Sequence, residues 1–122
     1  MTLEAARKLT AHGISADVLN VHTIKPIDEQ TLIKSLEKTG RGIVIEEHNI
    51  YGGLGSVVAT VLSQEFPCRL DFLCTNDDFG DTGTPDDLLT SFGLRPEHIV
   101  RKAAAMLRNR LARRRVRQLR AV

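Results

Sequence analysis

Residues 42–56, GIVIEEHNIYGGLGS, constrain this chain more than any other stretch. Ile43, Val44 and Ile45 form a short continuous apolar run, the pattern of a strand covered on both faces in a parallel sheet. The run predicts a central strand over Gly42–Glu47. Two carboxylates, a histidine and an asparagine follow at Glu46–Asn49, and Gly52, Gly53 and Gly55 then allow a tight turn into an apolar-periodic helix. Polar groups therefore crowd the C-terminal end of a parallel strand, where open α/β sheets place ligands or partners.

The 122 residues suffice for one domain that buries about two-thirds of its unfolded surface. No apolar run approaches the length of a membrane span, and MTLEAARKL lacks the positive-then-apolar layout of a signal peptide, so a cytoplasmic location is expected. Cys68 and Cys74 fall six residues apart on one predicted strand, about 20 Å by strand rise, too far to bridge. They are expected to be buried free thiols. The charge is divided: from Arg95 onward ten Lys and Arg stand against one acid, Glu97, for a net +9, while residues 1–94 hold seven bases and fourteen acids, for a net −7.

Leu3, Ala5, Ala6 and Leu9 recur at helical spacing from Thr2 to His12, with Gly13 suited to the left-handed position after the helix end. Ala16–Thr23 reads as a strand closed by Pro26. A second helix is capped by Asp28, carries Leu32, Ile33 and Leu36 on its buried stripe and stops at Gly40. Beyond the glycine turn, Leu54, Val57, Val58, Val61 and Leu62 mark a third helix ending before Pro67. Cys68–Cys74 is a last strand. Thr84-Pro85-Asp86-Asp87 opens a short helix with Leu88, Leu89 and Phe92 before Gly93. Pro96 opens a final one whose Ile99, Val100, Ala103, Met106, Leu107 and Leu111 are expected to face inward. This alternation of helices with three strands predicts an α/β fold on a parallel sheet with right-handed crossovers.

The Gly52-Gly53-Leu54-Gly55 turn suggests an anion cradle, since N–H groups at a helix N-terminus bind anions. Val58 stands where a dinucleotide fingerprint needs its third glycine, and no Gly-Lys-Ser/Thr follows. Close packing of strand on helix accounts better for these glycines. His48, beside Glu46 and Glu47, has the carboxylate neighbours of a general base but no accompanying nucleophile, and an interface or structural role fits it better. Asp77, Asp78 and Asp81 lack calcium-loop spacing. The basic tail, with Arg108, Arg110, Arg113, Arg114, Arg115 and Arg117, leaves two readings open: a solvated or docked helix end, or a surface binding an acidic protein or nucleic acid.

Three motifs, VHTIKPID (21–28), IVIEEHNIYGGLGSVVA (43–59) and DDFGDTGTPDDLLTSFGL (77–94), resemble in this order and spacing the C-terminal domain of transketolases. The similarity is greatest to the C-terminal part of split transketolases, and more distant to deoxyxylulose-phosphate synthase and the beta subunits of 2-oxoacid dehydrogenases. It spans about residues 3–105, which gives domain bounds of 1–107 followed by a basic helical tail at 108–122. The resemblance implies a three-layer α/β/α sandwich on a mostly parallel sheet. It also implies membership in a thiamine-diphosphate enzyme that moves two-carbon ketol units between sugar phosphates. In the family the cofactor, magnesium and substrate are held by other domains, so this chain is expected to bind no cofactor or metal alone and to support assembly of a homo- or hetero-oligomer. Glu47, His48, Asn49, Gly52, Gly53, Gly55, Asp78 and Phe79 are then candidates for an interface or ligand edge. In the family two strands precede the first helix, so the sheet is expected to lack its first two strands, leaving unpaired backbone groups on each side of a gap.

Overall fold

The computed structural model describes residues 1–77, 80 and 82–108, and the arginines from Arg110 to Arg117 lie outside them. Helix α1 (Thr2–Ala11) opens the chain and α2 (Glu29–Thr39) follows. The Asp28 carboxylate accepts the Thr31 N–H at 3.0 Å, and Gly40 closes α2 in the left-handed conformation at φ 69°. Strand β1 (Arg41–Asn49), helix α3 (Leu54–Glu65) and strand β2 (Arg69–Thr75) come next. The two strands run parallel, with Arg41 opposite Arg69 and Ile45 opposite Leu73. Helix α4 (Pro85–Ser91) starts at Thr84, whose hydroxyl accepts the Asp87 N–H, and α5 (Pro96–Arg108) completes the described chain.

Strand pleating sends alternate side chains to opposite faces, and each face meets two helices. Val44 packs with Leu32 and Leu36 of α2 and Val58, Val61 and Leu62 of α3, joined by Leu70 and Phe72 of β2. On the other side α1 lies along α5, with Ala5, Leu9, Ile99 and Met106 buried. Lys8 of α1 forms ion pairs with Glu4 at 3.0 Å and with Glu97 of α5. Leu94, between α4 and α5, is almost wholly enclosed.

Three expectations are corrected. Residues 16–23 form no strand: among the described residues, 15–26 make no backbone–backbone hydrogen bond at all. A strand exists only through a paired neighbour, and the space beside this segment is a cleft rather than a second strand. For the same reason β1 is not central, because the described sheet holds only β1 and β2. Leu3 is 65% exposed and Leu107 38% exposed, so the inward stripes of α1 and α5 are narrower than their apolar residues imply. Each lies at the edge of the contact between the two helices, where a flat helix pair covers only part of the apolar arc.

Candidate functional site

The end of β1 and the turn into α3 form one hydrogen-bonded unit. Glu46 points along β1 to the start of α3, where its carboxylate accepts the N–H groups of Leu54 at 2.7 Å and Gly55 at 2.9 Å. Four N–H groups at a helix start lack intrahelical partners and carry the positive end of the helix dipole, so an internal carboxylate there is well placed. The glycines make the approach possible. A Cβ on Gly53 would stand 2.3 Å from Glu46 Oε2, and one on Gly55 would stand 2.6 Å from the Phe72 ring.

Beyond Glu46 the polar residues reach the surface. Glu47 and His48 are exposed, and His48 Nδ1 lies 3.0 Å from the Asn49 carbonyl oxygen. The expectation that Glu46 orients His48 is therefore corrected: Glu46 is committed to the helix, where two N–H donors hold it. Asn49 bridges the two strand ends, donating from Nδ2 to Asp77 at 2.6 Å and accepting the Tyr51 N–H at 2.9 Å. Asp77 holds the left-handed conformation at φ 59°. Ser56 accepts the Gly52 N–H at 2.9 Å and donates to the Ile50 carbonyl at 3.3 Å. On this tied turn Tyr51 is 72% exposed.

Of the sequence candidates, the fold brings Glu47, His48, Asn49 and Gly52 to one polar edge and places Gly53 and Gly55 inside, against Glu46 and Phe72. Asp78, Phe79 and Asp81 lie outside the described residues, as do Arg110, Arg113, Arg114, Arg115 and Arg117; Arg108 is exposed at the end of α5. Sequence reasoning missed two residues. Glu46 gives no local signal as a helix cap, because it stands eight residues before Leu54 and reaches it only through the fold. Tyr51 carried a signal that went unused: an aromatic side chain inside a polar, glycine-rich turn has no core to enter. Cys68 and Cys74 are free thiols, and burial pushes both thiol pKa values up, for Cys74 with a further upward contribution from Glu46. Such thiols are poor nucleophiles.

The family model for the transketolase C-terminal domain matches residues 1–99. The chain belongs to that family. Its relatives include the 6-deoxy-6-sulfo-D-fructose transketolase subunit SqwH of Clostridium sp. (strain MSTE9), 44% identical over 101 residues that make up 83% of this chain and 31% of the relative. A putative transketolase C-terminal section from Methanocaldococcus jannaschii is 40% identical over 82% of this chain and 31% of its own length. Among solved structures, a split gene transketolase described as an inactive beta4 tetramer superposes with a TM-score of 0.80 at 42% identity, covering 85% of this chain and 34% of that one. This transketolase C-terminal domain thus spans about a third of the length of these relatives.

Transketolases as a family use thiamine diphosphate with magnesium, and the residues described here do not fit either group. The N–H groups that a diphosphate would take at α3 already bind Glu46, whose charge would repel it. Among the described residues no three His, Cys, Asp or Glu side chains stand together so as to hold a metal ion. The phosphate-cradle reading of the glycine turn is accordingly replaced by an internal carboxylate cap.

Proposed function

We propose that this chain is the non-catalytic C-terminal domain of a thiamine-diphosphate-dependent transketolase, supporting subunit assembly while other domains hold the cofactor, magnesium and sugar phosphate. The observation that carries the reading is the match of residues 1–99 to the transketolase C-terminal domain. The commitment of the α3 N-terminus to Glu46 supports a structural use of the strongest family motif. The domain proper covers residues 1–107, with residues 108–122 a basic tail. The edge formed by Glu47, His48, Asn49 and Gly52, with Asp78 and Phe79 from the adjoining loop, contacts the partner domain or subunit. The complete enzyme is a cytoplasmic dimer or larger oligomer that exchanges two-carbon ketol units between pentose-type sugar phosphates. No described helix is long and apolar enough to cross a membrane.

The test is recovery from the native cells by a C-terminal tag. Thiamine-diphosphate-binding transketolase domains are expected with the tagged polypeptide, in the same chain or in a companion chain, together with ketol-transfer activity that the 122-residue chain alone lacks. Tight, magnesium-dependent binding of thiamine diphosphate by the 122-residue chain in calorimetry would overturn the reading.

A further inference from the structure

The segment 14–21 and the outer edge of β1 face each other across a cleft of about 560 Å3. Protein interiors hold few voids larger than a water molecule, and this volume corresponds to on the order of twenty waters. Its two long walls are backbone. On one side lie residues 15–26, without a backbone–backbone hydrogen bond among the described residues. On the other, alternate residues of β1 between Arg41 and Ile45 turn their N–H and C=O groups away from β2. The Arg41 carbonyl meets the Thr39 hydroxyl, at the very end of that edge. The cleft is roofed by Leu9, Ile99 and Ala103 and floored by Leu36, Leu54 and Val58.

Charge completes the description of what fits. Of the charged residues lining the cleft, Asp17 and Lys38 pair with each other at 2.7 Å, and Arg41 donates to the Met106 carbonyl at 3.2 Å. The cleft therefore offers an occupant two rows of amide groups, two apolar faces and no free charge. A helix is too wide and buries its own amides; a small apolar molecule leaves both rows unpaired.

We propose that the cleft accepts, from a second polypeptide, an extended uncharged segment of about five residues that runs parallel to β1 and pairs with β1 and with residues 15–21 at once. Five residues is the length of the continuous β1–β2 register from Arg41 to Ile45, about 16 Å at strand rise. Such strand addition takes affinity from main-chain bonds and selectivity from the side-chain pockets on either face. The proposal rests on the cleft alone and is independent of the transketolase reading.

The experiment uses the full chain and a peptide whose core is five residues of valine, isoleucine and alanine, flanked by lysines for solubility. A second peptide of the same sequence carries N-methyl groups on alternate residues. At saturation the first peptide is expected to slow amide exchange at least tenfold both in residues 41–45 and in residues 15–21, while the N-methylated peptide has no effect. Leu19→Asp, on the rim where Leu19 is 39% exposed, keeps the melting temperature and weakens peptide binding at least tenfold. Unchanged exchange overturns the proposal, as does equal protection by the N-methylated peptide. So does an edge already protected before any peptide is added, whether by direct pairing of residues 15–21 with β1 or by a dimer seen in sedimentation.

Discussion

Glu46 caps the helix that begins eight residues after it, with 2.7 Å between its carboxylate and the Leu54 N–H. The adjacent bond to Gly55 ties the end of β1 to the start of α3, so one side chain fixes the strand–helix angle over which the Leu36, Val44 and Val58 core closes. Removing it leaves two helix-start donors without their acceptor. Glu46→Ala is expected to destabilise by about 1.5–3 kcal/mol, the range for hydrogen bonds to a charged group. Glu46→Gln should cost nearly as much, because an amide offers one oxygen where the site uses two. Urea unfolding of both variants checks this; a loss confined to alanine would show that shape rather than charge holds the turn.

Gly55 and Gly53 separate two kinds of crowding. A Cβ at Gly55 would press on the Phe72 ring at 2.6 Å, within the core, so Gly55→Ala should cost about 1–3 kcal/mol as overpacking. Phe72→Leu in the same chain should recover part of that loss. At Gly53 the Cβ meets the end of the Glu46 side chain, which can swing away. Gly53→Ala should therefore resemble Glu46→Ala, and the two changes should be less than additive in a double-mutant cycle.

Acid should weaken the fold through identifiable carboxylates. The Thr31 backbone N–H, then its hydroxyl, holds the Asp28 carboxyl below its ordinary 3.8; the Lys38 ammonium does the same for Asp17, and Lys8 holds Glu97 below 4.5. With folded values depressed, the unfolded chain takes up protons first. The contribution is present above the ordinary values and is lost as pH falls through 4.5, then 3.8, and into the depressed range. Lys8, raised above 10.5 chiefly by Glu97, contributes below that value and loses its contribution as pH rises past it. Asp28→Asn, which keeps a capping oxygen but does not titrate, should flatten the acid limb of urea midpoints measured from neutral pH downward.

Tyr51 offers a test that separates assembly from folding. Because it is 72% exposed and its backbone is fixed by Asn49, Tyr51→Ala should change stability by no more than about 0.5 kcal/mol. Interfaces draw much of their energy from tyrosines held in one conformation. If the polar edge is the assembly surface, the same substitution should reduce recovery of partner domains by the native-tag procedure at least tenfold. Undiminished recovery would move the interface elsewhere on the domain.

The elements legible in the sequence were those whose causes are local. Asp28 and Gly40 bound α2, Thr84 and Pro85 start α4, and the Ile43–Ile45 run marks β1, because caps, left-handed glycines and apolar runs act within a few residues. The three motifs also placed the chain in its family, and residues 1–99 match that family's model. Residues 16–23 carry the apolar content of a strand, but strand formation depends on a neighbour's amides, which no local pattern supplies. Leu3 and Leu107 look like core residues and are left exposed, since burial depends on how far the facing helix extends.

At the candidate site the same division holds. The sequence determined that carboxylates, a histidine and an asparagine end β1 and that glycines follow them. Tertiary structure alone decided that Glu46 turns inward to the helix start, that Gly53 and Gly55 make room for it, and that His48 and Tyr51 remain outside. The physical reason is that a helix N-terminus attracts the nearest carboxylate that geometry can deliver, and which one that is depends on how a strand and a helix come to lie against each other in space.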